Sequence, residues 1–290
     1  MALKYEEMMK EKGFLDYAVD CKHPLIKQKA KDELGETDEI RRRALEQFRK
    51  MVLADKKLNC LTDDEFLLMF LRARKYDEKR AIDLLRSFFH TISSHPEIFN
   101  KLDKEKIYKL TGSKVISALP FRDNEGCLIL IGKIGIWDVD EFSEQVLFCT
   151  ALILYLCAVN FEATQVTGVR VIFDAEGYSF KQVRRFVPRY LPLVSKAIRN
   201  CIPIRFKSIH LINESIVLRY GWSVLKLFLS EKIKSRFCFH GGNIEELLEY
   251  IPKEVLPVDY GGDCANSIDG DRLVKELDKY YDRFLSMMKC

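Results

Sequence analysis

The feature that most constrains this chain is a change of period after Gly112. Short runs rich in Ile and Val, at residues 114–119, 127–133, 169–174 and 207–212, are separated by longer stretches with helical spacing at 141–160, 180–200 and 214–230. Turn signals bound two of the runs: Asp123-Asn124-Glu125-Gly126 precedes the second and Thr167-Gly168 the third. Strands that alternate with helices predict an α/β domain with a mostly parallel, mixed sheet. Uninterrupted apolar strands such as Leu128-Ile129-Leu130-Ile131 predict a sheet covered on both faces.

The first hundred residues have the other character. No glycine occurs between positions 36 and 111, and charged residues alternate with apolar ones at helical spacing. Thr62-Asp63-Asp64-Glu65 reads as a capping box opening a helix through Phe66 and Leu71, and Asp77 as the cap of the next, which carries Ala81, Leu84, Leu85, Phe88 and Phe89 on one face. His95-Pro96 ends that helix, since proline disfavours helix in the residue before it. The division is therefore a helical unit at 1–100 and an α/β unit at 101–290.

Several function classes are excluded or reduced in weight. The N-terminus has no apolar core that would mark a secretory signal. Nine scattered cysteines, an odd number, without a C-x-x-C pair, read as free thiols of a reducing, cytoplasmic compartment. The uncharged run at 145–161 has 17 residues and includes Thr150 and Asn160, which suits a core helix better than a bilayer span of about 20 residues. Neither a dinucleotide fingerprint nor a P-loop is present, and Gly132-Lys133-Ile134-Gly135 lacks phosphate-cradling spacing. The five histidines show no metal-ligand spacing, and Asp138-Val139-Asp140 reads as a helix N-cap before it reads as a cation site. His210, in an apolar strand, reads as a hydrogen-bonded core residue. The expectation is a binding protein without catalytic residues, metal or cofactor.

The charge of the chain is polarised. Its total is only +4, but residues 181–240 hold 13 Lys and Arg against two acids, a net +11 set against −7 in the remainder. A basic face for an anionic partner follows. Within that region, 214–230 reads as a helix with one narrow polar stripe, Arg219, Ser223, Lys226 and Ser230, and apolar residues elsewhere. Such a helix has two greasy sides, and packing on its own domain hides only one. Gly221 in its middle weakens it by about 1 kcal/mol relative to Ala, which suits a movable element. Around it, Arg205 and Lys207 alternate with Phe206 on a strand, and Lys232 and Arg236 stand four apart. Four cations beside an apolar helix suit a lipid phosphate; nucleic acid would want aromatics interleaved for stacking.

Four ordered motifs then carry a resemblance. Phe70-Leu71-Arg72-Ala73-Arg74-Lys75-Tyr76-Asp77, Phe173-Asp174-Ala175-Glu176-Gly177-Tyr178, Ile209-His210-Leu211-Ile212-Asn213-Glu214 and Leu256-Pro257-Val258-Asp259-Tyr260-Gly261-Gly262 resemble the CRAL-TRIO lipid-binding family, in its tocopherol- and retinaldehyde-carrying branch. The resemblance implies a helical N-terminal subdomain and a CRAL-TRIO lipid-binding domain with one lipid in an apolar cavity under a movable gate, to which 214–230 corresponds. It implies that Arg205, Lys207, Lys232 and Arg236 contact a phosphoinositide headgroup, with Arg and Lys exchanged at the first two positions relative to tocopherol carriers. It implies cavity positions at Phe148, Ala151, Tyr155, Val169, Phe173, Tyr178, Val194, Ile198, Ile209, Leu225 and Leu229. Tyr155 and Tyr178 favour a ligand with a polar end, because a buried phenol needs a partner. The expected protein is a monomeric, cytoplasmic, non-enzymatic carrier of a retinoid, tocopherol or carotenoid-like isoprenoid. It associates peripherally with anionic membranes that contain phosphoinositides. A lipid-responsive adaptor that signals to a protein partner is the alternative.

Overall fold

The computed structural model describes residues 13–100, 102–265 and 270–288. Its N-terminal part is helical: α1 (Pro24–Lys29), a π-helical turn at Ala30–Leu34, α2 (Asp38–Ala54), α3 (Asp64–Ala73), α4 (Glu78–Ser93), α5 (Pro96–Phe99) and α6 (Lys104–Gly112). Local chemistry sets the starts. Thr37 accepts from the Ile40 N–H at 3.2 Å to open α2, and Asp77 accepts from the Arg80 N–H at 3.0 Å to open α4. The start of α3 corrects the capping box expected at Thr62. Asp63 is the cap, accepting from the Phe66 N–H at 3.0 Å, while Thr62 contributes only its carbonyl to Arg49. Asp63 also receives Arg283 at 2.8 Å, and a carboxylate suits the positive end of a helix better than a hydroxyl.

Five strands form one sheet in the order β1 (Ile116–Ala118), β2 (Leu128–Lys133), β3 (Val169–Asp174), β4 (Phe206–Ile212) and β5 (Phe237–Phe239). β1 runs antiparallel to β2, and every other pairing is parallel. Helices α7 (Glu144–Asn160), α8 (Glu162–Thr167), α9 (Phe180–Asn200), α10 (Ile216–Leu225), α11 (Glu231–Lys234) and α12 (Gly270–Met288) complete the order. The mixed sheet agrees with the sequence, with β5 as an addition. The 214–230 segment is shorter than expected as an α-helix: α10 stops at Leu225 and continues as a 3-10 turn over Lys226–Phe228. α9 stays helical through Pro188 and Pro192 even though a proline lacks the amide donor an α-helix uses.

Alternation along the strands divides the apolar residues between two faces. Leu128, Leu130, Val169, Val171, Ile209 and Leu211 join the large core shared with the helices. Ile129, Ile131, Ile172 and Ile212 pack on the opposite face against Leu247, Ile251, Val255, Leu256 and Tyr260. A register shift between β3 and β4, where Val169 pairs with Phe206 but Arg170 with Ser208, keeps Phe206 on the same face as Ile209. The uncharged run at 145–161 is mostly α7, which is buried around nearly its whole circumference because α3, α5, α6, α8, α9 and α12 all pack on it. Among the described residues no helix is long and apolar enough to cross a membrane.

Candidate functional site

Between the helix-covered face of the sheet and α7, α9 and α10 the core opens into a cavity of about 230 Å³. That is far more than single waters need and close to the lower end, about 300 Å³, of small-molecule sites. The lining is almost wholly apolar because every element presents its inward face here. β2 gives Leu130 and Gly132, β3 gives Val171 and Phe173, and β4 gives Phe206, Ile209 and Leu211. Gly132 has a specific reason: a Cβ there would stand 3.1 Å from the ring of Phe173, its register partner, which occupies the cavity wall.

Of the positions carried over from the resemblance, Phe148, Ala151, Tyr155, Phe173, Tyr178, Val194, Ile198, Ile209 and Leu225 line the cavity. Val169 and Leu229 do not. Val169 is fully buried at the start of β3, where its neighbour Phe206 supplies the wall. Leu229 packs with Leu191, Leu225 and Ile233 beyond the end of α10. Sequence reasoning missed Trp137, Phe186, Phe206, Leu218, Trp222 and Phe237. Both tryptophans are large apolar residues within helix or loop patterns, where composition alone gives no direction.

Two lining residues are not purely apolar. Tyr155 meets Phe206 edge-on at 5.5 Å, and burial pushes its phenol well above the usual range. Burial pushes the Tyr178 phenol up to about 12. Neither hydroxyl has a hydrogen-bond partner among the described residues. These are two polar handles in an otherwise dry wall.

One wall is α10. Leu218, Gly221, Trp222 and Leu225 face the cavity, with Trp222 against Phe237 at 4.6 Å and Phe239 at 5.1 Å. Its other side is open: Ile216 is 80% and Leu227 75% exposed, with Tyr220 and Phe228 also exposed. Among the described residues, these apolar side chains are therefore not buried, and they stand beside the exposed Arg219, Ser223 and Lys226. The Ser195 hydroxyl on α9 donates to the Phe228 carbonyl at 3.0 Å and ties down the far end of the segment.

The expected cation cluster is partly assembled. Arg205 reaches Glu33 at 2.6 Å and Lys207 the same carboxylate at 3.1 Å, so the two do share a side of the strand. Arg236 stands close enough that burial, and then the Arg205 charge, lower its guanidinium below its usual value. Lys232 is exposed on α11. Among the described residues, neither Lys232 nor Arg236 has a carboxylate within ion-pair distance.

The remaining titratable groups are tied into structure. On the sheet's far face, His210 shares hydrogen bonds with Ser208 at 2.7 Å and His240 at 3.0 Å, as a core histidine would. Asp138 accepts from the Asp140 N–H at 2.9 Å in a turn; the helix cap expected there falls instead at Ser143, which opens α7. Among the described residues no three His, Cys, Asp or Glu gather as a metal site.

Comparison with known proteins agrees with this arrangement. Residues 113–262 match the CRAL/TRIO domain. The human alpha-tocopherol transfer protein-like protein is 32% identical over 242 residues, covering 83% of this chain and 70% of that protein. Mouse clavesin-1 is 29% identical over 238 residues, 81% of this chain and 67% of that protein. The crystal structure of Sfh5 superposes with a TM-score of 0.45 at 10% identity, over 86% of this chain and 99% of that one. The domain match spans more than half of the chain and a relative is 32% identical over 83% of it, and these fix the family: this chain belongs to the CRAL/TRIO lipid-binding and transfer proteins.

Proposed function

We propose that this protein carries a small hydrophobic lipid, an isoprenoid of the retinoid, tocopherol or carotenoid kind, between membranes, and that it makes and breaks no bond. The observation that carries this reading is the apolar cavity whose closing segment turns Trp222 and Leu225 inward and leaves Ile216, Tyr220, Leu227 and Phe228 exposed beside Arg219, Ser223 and Lys226. A ligand gains about 0.8 kcal/mol for each CH₂ it hides from water, so the cavity provides what the aqueous path lacks. The outer side of α10 has the same need and meets it in a bilayer. Its contact with lipid then coincides with the place where the ligand must leave. The Tyr155 and Tyr178 hydroxyls favour a ligand that ends in a hydroxyl, carbonyl or carboxyl group.

Docking in this reading is peripheral, from the cytoplasm, on anionic leaflets. Arg205, Lys207, Lys232 and Arg236 take a phosphoinositide headgroup through charge-assisted hydrogen bonds. The name of one relative mentions tocopherol transfer, which supports an isoprenoid cargo here. The test is movement of a fluorescent isoprenoid between donor and acceptor vesicles with and without phosphatidylinositol bisphosphate. A carrier accelerates it at substoichiometric protein, and more so with the anionic lipid. Binding without acceleration would replace this reading by the adaptor, and new products from a native lipid extract would replace it by an enzyme.

A further inference from the structure

The inner half of the cation cluster already holds an anion supplied by the chain itself. Glu33 lies 172 residues before Arg205 in sequence, yet its carboxylate sits 2.6 Å from the Arg205 guanidinium. It is also 3.1 Å from Lys207 and 3.2 Å from Lys29. We propose that Glu33 is an internal competitor for the headgroup phosphate: the Ala30–Leu34 turn seats its carboxylate on Arg205 and Lys207, and these two cations take a phosphomonoester only after that turn has moved away. The proposal rests on the docking reading above.

Three observations support it. The first is occlusion. The Arg205 and Lys207 side chains are only 14% and 24% exposed beneath Glu33, whereas Lys232 and Arg236 have no carboxylate partner among the described residues. A headgroup thus meets two cations, Lys232 and Arg236, that no carboxylate engages among the described residues, and two, Arg205 and Lys207, that Glu33 occupies.

The second is the balance of charge. Three carboxylates, Glu33, Glu125 and Asp123, face four cations, Lys29, Arg170, Arg205 and Lys207: Glu125 is 3.7 Å from Lys29 and 3.9 Å from Lys207 and is shared at 2.7 Å with Arg170, which also pairs with Asp123. A phosphomonoester brings about −1.5 to −2 and three acceptor oxygens to the same cations. The exchange swaps anions around fixed cations, because Arg205 also donates to the Val166 carbonyl and keeps that anchor when Glu33 leaves.

The third is the element that carries Glu33. It is a π-helical turn, a rare geometry that recurs frequently at functional sites. It ends at Gly35 in the left-handed conformation (φ 68°), with open space around the position of a side chain. Leu25, Ile26, Ala30 and Leu34 fasten the segment to Ala163 and Val166. Headgroup capture therefore acts against a defined apolar contact as well as an ion pair.

Phosphatidylcholine vesicles with a few mole per cent of phosphatidylinositol bisphosphate, against phosphatidylcholine alone, test this with the full chain. Glu33→Gln keeps the size of the side chain and removes the competing charge; it is expected to bind the bisphosphate vesicles about tenfold more tightly than the wild type. Glu254→Gln, on an exposed residue, makes the same change in net charge and is expected to give no such gain. Equal or weaker binding by Glu33→Gln, or an equal gain by Glu254→Gln, overturns the competitor while leaving docking intact. If the wild type itself does not prefer bisphosphate vesicles, the docking reading falls and the competitor with it. A second measurement needs no variant. Soluble inositol trisphosphate should speed tryptic cleavage after buried Lys29 in the wild type about tenfold, and inorganic phosphate at equal concentration should not. Unchanged cleavage, or an equal effect of inorganic phosphate, overturns the proposal.

Discussion

The imidazoles of His210 and His240 lie stacked, ring centres 5.2 Å apart, and share a hydrogen bond of 3.0 Å on the face of the sheet away from the cavity. Burial, then the charges of His240 and Arg170, lower His210 from its usual 6.5 to about 3. An unfolded chain takes up this proton near 6.5 and the folded one only near 3, so stability is fully present above pH 6.5 and declines as the pH falls towards 3. Thermal unfolding midpoints at stepped pH between 7 and 5 should fall for the wild type. They should fall less steeply for His210→Gln, which starts lower. Parallel slopes would remove His210 as the source.

The outward side of α10 is expected to matter for membranes and little for folding. Ile216→Asn with Leu227→Asn removes two largely exposed apolar groups, each worth about 1.5–3 kcal/mol if buried in lipid. Partition onto neutral phosphatidylcholine vesicles should drop at least about tenfold, with unfolding free energy changed by less than about 1 kcal/mol. Unaltered partition would mean that this side is not what meets the bilayer.

For the cavity, Tyr155→Phe and Tyr178→Phe keep the apolar wall and delete the polar handles. Each is expected to weaken an alcohol- or acid-ended isoprenoid by about 0.5–1.5 kcal/mol and leave the matching hydrocarbon unchanged. Titration of tryptophan quenching with the paired ligands reads the difference. Equal losses for both ligands would show a packing effect instead.

Arg122 is fully buried, and its guanidinium donates to the carbonyls of Tyr17 at 2.5 Å and Gly126 at 3.1 Å and to the Thr164 hydroxyl at 2.9 Å. Burial lowers its pKa to about 10, so it stays charged at neutral pH. Arg122→Met fills similar space but strands buried acceptors, each costing about 1–3 kcal/mol. Denaturant unfolding should show a loss of more than about 2 kcal/mol. A smaller loss would show that these carbonyls find other donors.

What the sequence made legible follows from periodicity. β3 runs from Val169 to Asp174 and α9 from Phe180 to Asn200, as β-branched runs and helical spacing indicated. β5, with three residues of which only Cys238 is not aromatic, is too short to show alternation. α10 read as apolar on two sides, and its composition could not say whether both were buried; the exposure of Ile216 and Leu227 answers that. The Gly135 position was readable only as a failed phosphate loop. A Cβ there would meet the Glu176 carbonyl at 1.7 Å, a close approach of two backbones that no local pattern encodes. Glu33 was invisible for the same reason: an ion pair across 172 residues belongs to the tertiary fold, and the residues around Glu33 gave no hint of it.

The packing of α12 bears on when the cavity is complete. Leu277, Tyr281, Phe284 and Met287 are buried in the core shared with α7, and the Tyr108 hydroxyl donates to Asp278 at 2.8 Å. Among the described residues, every one that lines the cavity precedes α12 in the chain, the last being Phe237. During translation all the lining side chains emerge before the helix that braces the back of α7. At that stage the lining residues surround an unsupported wall. The cavity is therefore framed on the α7 side only once α12 has docked, although α12 itself lines none of it.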